Sequence, residues 1–390
     1  MACRLSIVLF LLLLCIGCKR EVEKDTVSQQ RPIPHLQKID SLVEQLVSDQ
    51  HTVGISYGVQ IGKAQPHYKV YGVSDITTKS PVVYHSQFRI ASLTKTITAA
   101  GILKLVDQGR LSLEDPLTRF FPDFPGGENI TIYQLLSHTS GIPNWWEGGM
   151  PRDTPEDFPM CKTPHQYIQQ MNKTSFFESG SHFYYSNTGY VLLGEIIEKV
   201  SRNSYQDLLR STVFADANMT ATEMEYPAKP SSNWAKGYSI KETDGKLSFS
   251  EPEYLHAPYT AGGLRSTPKD LIAFLNVIFE GKLLSKELSR KMTNYAKVHG
   301  EKPIYESVFF PYGTPPEPPK HMTKNGYGLG FNIMEFYGEP VIWHSGGIAG
   351  FNAIMAYIPK NDTKIVILAN TENGVVPAFD DIMKTVMAIR

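Results

Sequence analysis

The chain has 390 residues, of which 42% are hydrophobic and 20% are charged, and its formal net charge is −1. This balance is typical of a soluble globular domain and lacks the strongly basic face that nucleic-acid binding requires. We therefore expect no nucleic-acid partner.

The N-terminus has the pattern of a targeting segment. Arg4 supplies a positive charge, and the apolar run Leu5–Leu14 is too short to span a bilayer. Cys15-Ile16-Gly17-Cys18 follows and is similar to a bacterial lipoprotein lipobox, which implies cleavage after Gly17 and acyl chains on Cys18. An ordinary signal peptide cleaved nearby is the alternative. The polar, proline-containing stretch that comes next is typical of a tether.

These features predict a lipoprotein signal peptide over residues 1–17, a lipid-anchored tether over 18–34 and one domain over 35–390. The expected location is the bacterial cell envelope, with the anchor in a membrane and the domain facing the periplasm or the exterior. Beyond Cys18, Cys161 is the only cysteine of the mature chain, so no intrachain disulfide is expected. No cysteine pair or His-Glu-x-x-His pattern indicates a metal site.

Hydrophobic periodicity predicts strands at both ends of the domain and helices in its middle. The predicted elements, in chain order, are a helix over Ile33–Val47, a strand over Val53–Ile61, its hairpin partner over Tyr68–Gly72, a helix over Ser92–Gln108, a helix after the capping pair Thr131 and Gln134, a helix through Tyr190, Leu193, Ile197 and Val200, strands over Val341–Trp343, Asn352–Ile358 and Lys364–Asn370, and a closing helix through Phe379, Ile382, Val386 and Ile389. We predict an α+β fold, in which both ends of the mature chain build one antiparallel sheet with flanking helices around a mostly helical insertion of about 200 residues.

Three serines have a sequence context that suggests a nucleophile. Gly54-Ile55-Ser56-Tyr57-Gly58 matches a nucleophile elbow, but the strand pattern runs through Ser56, whereas the elbow requires a turn into a helix. Ser266 precedes Thr267 and Pro268, which are typical of an ordinary helix start. Ser92 also precedes a helix, and Lys95 lies one turn further on the same face. On spacing alone, a helix cap is an equal alternative for Ser92.

Two further triplets accompany Ser92-Leu93-Thr94-Lys95. Tyr185-Ser186-Asn187 stands before a predicted helix, and His344-Ser345-Gly346, continued by Gly347, follows the predicted strand Val341–Trp343. In this order the set resembles the serine beta-lactamase and penicillin-binding-protein superfamily, nearest to class C beta-lactamases, D-alanyl-D-alanine carboxypeptidases and related esterases and D-aminopeptidases. Three further stretches fit that branch, and the resemblance covers about residues 35 to 390: Leu135–Gly141, Ala261–Leu264 and Gly326–Gly330.

The resemblance implies a serine hydrolase with a beta-lactamase/transpeptidase-like fold that forms an acyl-enzyme on Ser92 without a metal or organic cofactor. To act as a base at pH 7, Lys95 needs a pKa about 3 units below its free value near 10.4; burial and a hydrogen bond from Asn187 are the expected causes. Tyr185 is expected to share the proton with Lys95, to return it to the leaving group and to activate the deacylating water.

By the same resemblance, Asn187 holds the substrate carbonyl or amide, and the backbone N–H groups of Ser92 and Gly347 form the oxyanion hole. The remaining third-motif residues are expected to bind substrate: His344, Ser345 and Gly346. A helix cap for Asn187, a core aromatic for Tyr185 and a buried sheet histidine for His344 remain alternatives.

Four residues near Gly141 lie outside the three motifs. His138 and Ser140 are expected to be structural and to end a helix at Gly141. Trp145 and Trp146 either line the substrate cleft or anchor a long loop, and the sequence favours neither alternative.

His344 departs from the lysine that class C beta-lactamases usually carry in the third motif. Its unperturbed pKa near 6.5 leaves it mostly neutral at pH 7, so turnover is expected to follow its titration. The weaker fixed charge argues mildly against an efficient beta-lactamase and favours a D-amino-acid-containing peptide, such as a peptidoglycan stem. A small carboxylic ester or a beta-lactam hydrolysed weakly is the alternative substrate. An inactive lipoprotein that binds cell-wall peptide is the alternative of another class.

Overall fold

The computed structural model describes residues 34–144, 175–225, 231–243, 246–250, 259–311 and 321–389. They belong to one unit, Pro34–Arg390. The predicted signal peptide and all of the predicted tether except Pro34 lie outside the described residues, as do Cys18, Cys161, Trp145 and Trp146. Within the described ranges, no helix combines the length and apolar character that a bilayer crossing requires.

Within the described residues, the strands form a large central antiparallel sheet and two smaller sheets. In chain order the strands are β1 (Gly54–Ile61), β2 (His67–Asp75), β3 (Ser80–Pro81), β4 (Phe88–Arg89), β5 (Glu223–Met224), β6 (Ser239–Thr243), β7 (Lys246–Ser250), β8 (Leu264–Ser266), β9 (Met322–Tyr327), β10 (Asn332–Phe336), β11 (Glu339–Ile348), β12 (Phe351–Ile358) and β13 (Thr363–Ala369). The sheet has eight strands in the order β3-β2-β1-β13-β12-β11-β10-β9. Its first and last long strands are neighbours, with Tyr57 opposite Ile367. The prediction of a sheet built from both ends is confirmed.

Helices cover both faces of this sheet. In chain order they are α1 (Pro34–Ser48), α2 (Thr94–Asp107), α3 (Ile132–Leu136), α4 (Asn187–Ser201), α5 (Tyr205–Leu209), α6 (Ala215–Ala217), α7 (Pro268–Phe279), α8 (Lys286–Thr293) and α9 (Phe379–Met387). On one face, Ile39, Val43 and Leu46 of α1 pack with Ile382 of α9, because their helical spacing puts them on one side. On the other face, the helices of the insertion, α2 to α8, share a core with β12 and β13.

Short elements depart from the sequence prediction. Strands β4, β8 and β5 form a separate three-stranded sheet, and β6 pairs with β7. Strand β11 runs on to Ile348, so the third motif lies inside a strand and does not follow one. Ser56 lies buried within β1, and Thr267 caps α7 by accepting a hydrogen bond from the Asp270 N–H. Ser56 therefore lies within a strand, and Ser266 precedes a capped helix, as the sequence predicted for these two serines.

Candidate active site

Ser92 lies in a tight turn under the start of α2. The 3-10 turn Ala91–Leu93 precedes the helix, and Leu93 occupies the cap position of α2, so the helix-cap alternative for Ser92 is wrong. Ala91 has a φ of 46°, an uncommon conformation for a residue with a Cβ. Such strain is concentrated at functional sites, where the surrounding structure holds it in place. Ser92 itself is partly exposed.

Lys95 is fully buried beneath Ser92. Its Nζ lies 3.0 Å from Ser92 Oγ and donates a hydrogen bond to the Ala261 carbonyl at 2.8 Å. Desolvation holds the pKa of Lys95 well below its ordinary value, because burial penalises the charged amine. The expected hydrogen bond from Asn187 is not made: among the described residues, Lys95 Nζ bonds to Ser92 and Ala261.

The turn Tyr259–Ala261 presents that carbonyl, and sequence reasoning did not assign it a role. Thr98 Oγ1 of α2 donates to the Thr260 carbonyl at 2.7 Å, and Thr260 Oγ1 donates to the Tyr190 carbonyl of α4 at 2.8 Å. Gly194 makes room for it, since a Cβ there would lie 2.2 Å from Thr260 Oγ1. The turn is therefore fixed between two helices.

Tyr185 brings a phenol to the same place. Its hydroxyl lies close enough to Ser92 for a hydrogen bond to contribute to its pKa, and Lys95 Nζ lies 4.9 Å from the centre of its ring. Desolvation raises the pKa of Tyr185 above its ordinary value, and the hydrogen bond with Ser92 acts in the opposite direction. Tyr185 is partly exposed, which a purely core aromatic residue would not be. The hydroxyl of Ser92 and the amine of Lys95 therefore meet a phenol from a distant part of the sequence.

Asn187 is the first residue of α4, next to Tyr185. Ser186 is the cap, and its Oγ accepts a hydrogen bond from Gly189 N–H at 3.3 Å, so the cap alternative for Asn187 is wrong. The Asn187 N–H donates to Asn144 Oδ1 at 2.7 Å, and Asn144 Nδ2 donates to the Tyr185 carbonyl at 3.2 Å. Asn144, which sequence reasoning missed, thus holds both ends of the Tyr-Ser-Asn motif.

Strand β11 runs directly against the Ser92 turn. A Cβ on Gly346 would lie 2.4 Å from the Ile90 carbonyl, so only glycine fits there. Gly347 and Ser345 are exposed, and a Cβ on Gly347 would meet open space. Strand β10 pairs with β11 only as far as Trp343. Within the described ranges, the next five residues of β11 therefore have one edge without a strand partner.

His344 is 1% exposed, and its imidazole is closed off from solvent. Its Nδ1 lies 2.7 Å from the Ser345 carbonyl and its Nε2 lies 2.9 Å from the Tyr327 hydroxyl. Desolvation, followed by the charge of Lys95, lowers the pKa of His344 to about 3. This contradicts the expected titration near neutral pH, and the structure places His344 as the buried sheet histidine of the alternative.

The position of His138 differs from the sequence prediction more than that of any other candidate residue. Helix α3 ends at Leu136 and not at Gly141. His138 is buried, and its ring centre lies 4.3 Å from that of Tyr185. Ser140 Oγ, by contrast, accepts a local hydrogen bond from Ile142 N–H at 3.3 Å, a structural contact.

The described ranges contain no group of three or more His, Cys, Asp or Glu residues able to hold a metal ion. The side chains gathered at Ser92 are a nucleophile, a desolvated amine and a phenol. These groups suit acyl transfer to a serine hydroxyl.

Comparisons with known proteins agree with this chemistry. The family model described as "Beta-lactamase" matches residues 39–386. Penicillin-binding protein 4* of Bacillus subtilis is 28% identical over 360 residues, which cover 88% of this chain and 73% of that protein. A beta-lactamase of Pseudomonas fluorescens is 27% identical over 348 residues, 86% of this chain and 93% of that protein.

Solved structures give the same result for the fold. The D-amino acid amidase from Ochrobactrum anthropi SV3, complexed with L-phenylalanine amide, superposes with a TM-score of 0.75 and 26% identity, covering 91% of this chain and 99% of that one. The penicillin-binding protein homologue from Pyrococcus abyssi gives a TM-score of 0.73 and 28% identity, over 90% of this chain and 77% of that one. The chain therefore belongs to the beta-lactamase family of serine hydrolases and has its beta-lactamase/transpeptidase-like fold.

Proposed function

We propose that this protein hydrolyses D-amino-acid-containing peptides or amides of the peptidoglycan type through an acyl-enzyme on Ser92. The observation that carries the proposal is the 3.0 Å approach of the buried Lys95 Nζ to Ser92 Oγ, with the Tyr185 phenol beside the same serine. A serine hydroxyl becomes a good nucleophile only when an adjacent base takes its proton.

Lys95 is the base of the acylation step. Burial lowers the pKa of Lys95, so a larger fraction of the amine is neutral at pH 7 and holds a lone pair. The neutral amine donates one hydrogen to the Ala261 carbonyl and accepts the proton of Ser92 Oγ as that oxygen attacks the substrate carbonyl. The Ala261 carbonyl thereby orients the lone pair towards the serine.

Tyr185 carries the proton onwards. Because desolvation raises the pKa of Tyr185, its phenol is protonated at neutral pH and donates its proton to the leaving group, while Lys95 resupplies it. In deacylation the same pair takes a proton from the attacking water and returns it to Ser92 Oγ.

The substrate lies along the open edge of β11. Its backbone pairs with the exposed stretch that contains Ser345 and Gly347. The N–H groups of Ser92 and Gly347 stabilise the oxyanion, where one donor is worth about 3 kcal/mol. The partly exposed Asn187 amide binds the carbonyl or amide of the substrate.

The choice of substrate class rests on the structural neighbours and on His344. The superposed amidase from Ochrobactrum anthropi acts on D-amino acid amides by its name. His344 is buried and, because its pKa is lowered to about 3, uncharged at pH 7, so it offers no fixed cation to a beta-lactam carboxylate. Hydrolysis of small carboxylic esters is the second candidate, and weak beta-lactam hydrolysis is supported by the Pseudomonas fluorescens relative.

We also propose that the protein is a lipoprotein of the bacterial cell envelope, anchored in a membrane through acylated Cys18. The lipobox-like Cys15-Ile16-Gly17-Cys18 supports this location. Radiolabelled palmitate incorporated by the full chain and lost in Cys18→Ala is the expected result. Incorporation that survives the substitution would contradict the anchor.

A panel of D- and L-amino acid amides, D-alanyl peptides, nitrocefin and p-nitrophenyl esters tests the substrate class. We expect D-amides and D-peptides to be preferred over their L-counterparts about tenfold or more in kcat/KM. Ser92→Ala should abolish turnover of every substrate. Ester turnover without D-amide turnover would favour the esterase, and binding of cell-wall peptide without any turnover would favour the inactive binder.

A further inference from the structure

His138 holds the segment that carries Tyr185 at three points. Its backbone carbonyl accepts the Tyr184 N–H at 2.9 Å, and its Nδ1 accepts the Ser186 N–H at 3.1 Å. Between these two bonds, its ring lies against the Tyr185 ring, with centres 4.3 Å apart and planes inclined by 34°. The residue on either side of Tyr185 and the phenol ring itself are therefore all fixed by His138.

The backbone of His138 is bent to make this possible. Its φ is 60°, in the left-handed region that residues with a Cβ adopt only rarely. An ordinary helical turn after Leu136 would not direct the carbonyl and the ring to the same segment. Strain of this kind persists where surrounding contacts fix it, and here they are the contacts to residues 184–186.

The hydrogen bond to Ser186 also fixes the protonation state of the imidazole. An N–H group can donate to Nδ1 only when Nδ1 carries no proton, so His138 is neutral with its proton on Nε2. Within the described part of the chain, Nε2 is buried without a hydrogen-bond partner. The His138 ring lies against the rings of Tyr190 and Tyr327, with 5.0 and 4.6 Å between the ring centres.

The charged and titratable groups around His138 favour the same neutral form. Burial is the largest cause of the lowered pKa of His138, and Lys95 from α2 and His344 from β11 act in the same direction whenever they carry a positive charge. Protonation at Nδ1 would set two N–H groups against each other and release Ser186, the cap residue of α4.

We propose that His138 is a positioning residue that keeps the Tyr185 hydroxyl within hydrogen-bond reach of Ser92, chiefly through its Nδ1 acceptor. This role rests on the proposed acyl transfer at Ser92. It acts through Tyr185 and needs no contact between His138 and the substrate. Because Tyr185 moves protons in both half-reactions, a displaced phenol slows the chemical steps more than it weakens binding.

Three variants separate the contributions of the acceptor and the ring. His138→Asn keeps an acceptor at the same distance from the backbone, and asparagine tolerates a positive φ, but the ring is lost. His138→Phe keeps a ring and loses the acceptor. His138→Gly loses both and adopts the left-handed backbone without strain, so it serves where the phenylalanine variant does not fold.

We expect His138→Asn to keep kcat within about threefold of the wild type, and His138→Phe and His138→Gly to lose about 10- to 100-fold with little change in KM. The substrate is the best D-amide of the panel, and the folded fraction is measured by circular dichroism. Wild-type kcat in a folded glycine variant would overturn the proposal. So would an asparagine variant that loses as much as the glycine variant.

Crystal structures of the asparagine and glycine variants test the placement without relying on activity. The Tyr185–Ser92 hydrogen bond should persist in His138→Asn and be broken in His138→Gly. A glycine variant with that hydrogen bond intact would overturn the positioning role. If the wild type does not turn over any substrate, the proposed function fails, while these structures still decide the role of His138.

Discussion

Replacing His344 with glutamine tests the finding that this histidine is buried and uncharged. The pKa of His344 is about 3 in the folded protein, against about 6.5 in an unfolded chain. The folded state thus disfavours the protonated form, and the resulting stability is fully present above pH 6.5 and is lost as the pH falls towards 3. At pH 5, about 1.5 units below the pKa of the unfolded state, protonation of His344 stabilises the unfolded chain by about 2 kcal/mol.

Urea unfolding at pH 8 and pH 5 measures this difference. Glutamine cannot be protonated in this range, so the His344→Gln variant should lose about 2 kcal/mol less unfolding free energy than the wild type between the two pH values. Other histidines contribute equally to both proteins and cancel. The shape of the pH profile of kcat/KM between pH 5 and 8 should also be the same in both. An equal loss of stability in the two proteins would contradict a lowered pKa of His344 in the folded protein.

Three further substitutions, two of them with a matched control variant, test the surroundings of Ser92. Lys95→Met removes the buried amine, and single-turnover acylation should slow by about 10²- to 10⁴-fold; a smaller loss would assign the base elsewhere. Gly346→Ala sets a Cβ 2.4 Å from a backbone carbonyl and should lower both Tm and kcat, while Gly347→Ala, facing open space, keeps the wild-type Tm. Gly194→Ala, with its Cβ 2.2 Å from a side-chain oxygen, should lose about 1–3 kcal/mol in urea unfolding. In Gly189→Ala the new Cβ has its nearest neighbouring atom 3.6 Å away, so the unfolding free energy should not fall. Equal effects of these two helix substitutions would contradict the close contact between Gly194 and the Thr260 side chain.

Three strands at the centre of the sheet could be predicted closely because they are long enough to show their period. Strands β1, β12 and β13 have 8, 8 and 7 residues, and each was expected within one residue of its observed bounds. Strands β4 and β5 have 2 residues each, too few for any alternation, so they could not be predicted. They form because tertiary packing brings β8 between them.

The sequence predicts which reactive side chains form the site, but it does not predict the contacts of backbone groups or the orientation of side chains. Ser92, Lys95 and Tyr185 were expected to meet, and the structure brings them together. The acceptor of Lys95 is a backbone carbonyl, which every residue possesses, so the sequence singles out the stretch Ala261–Leu264 but does not show that its first carbonyl meets Lys95. The place of His138 depends on a positive φ that its neighbours impose, and no local pattern reveals which way its ring turns.

The protonation of His344 was mispredicted for a related reason. Its identity as a histidine suggests titration near neutral pH, but the pKa depends on burial that only the assembled sheet and helices create. The cost of desolvation outweighs the intrinsic basicity of the imidazole.

The central claim is that Ser92, served by Lys95 and Tyr185, is the residue that becomes acylated. Intact-mass measurement followed by peptide mapping, after exposure to a fluorescent penicillin and to a fluorophosphonate, tests it most directly. We expect a single adduct on Ser92 with at least one of the two probes, and none on the Ser92→Ala protein. An adduct on another residue, or equal labelling of Ser92→Ala, would contradict it.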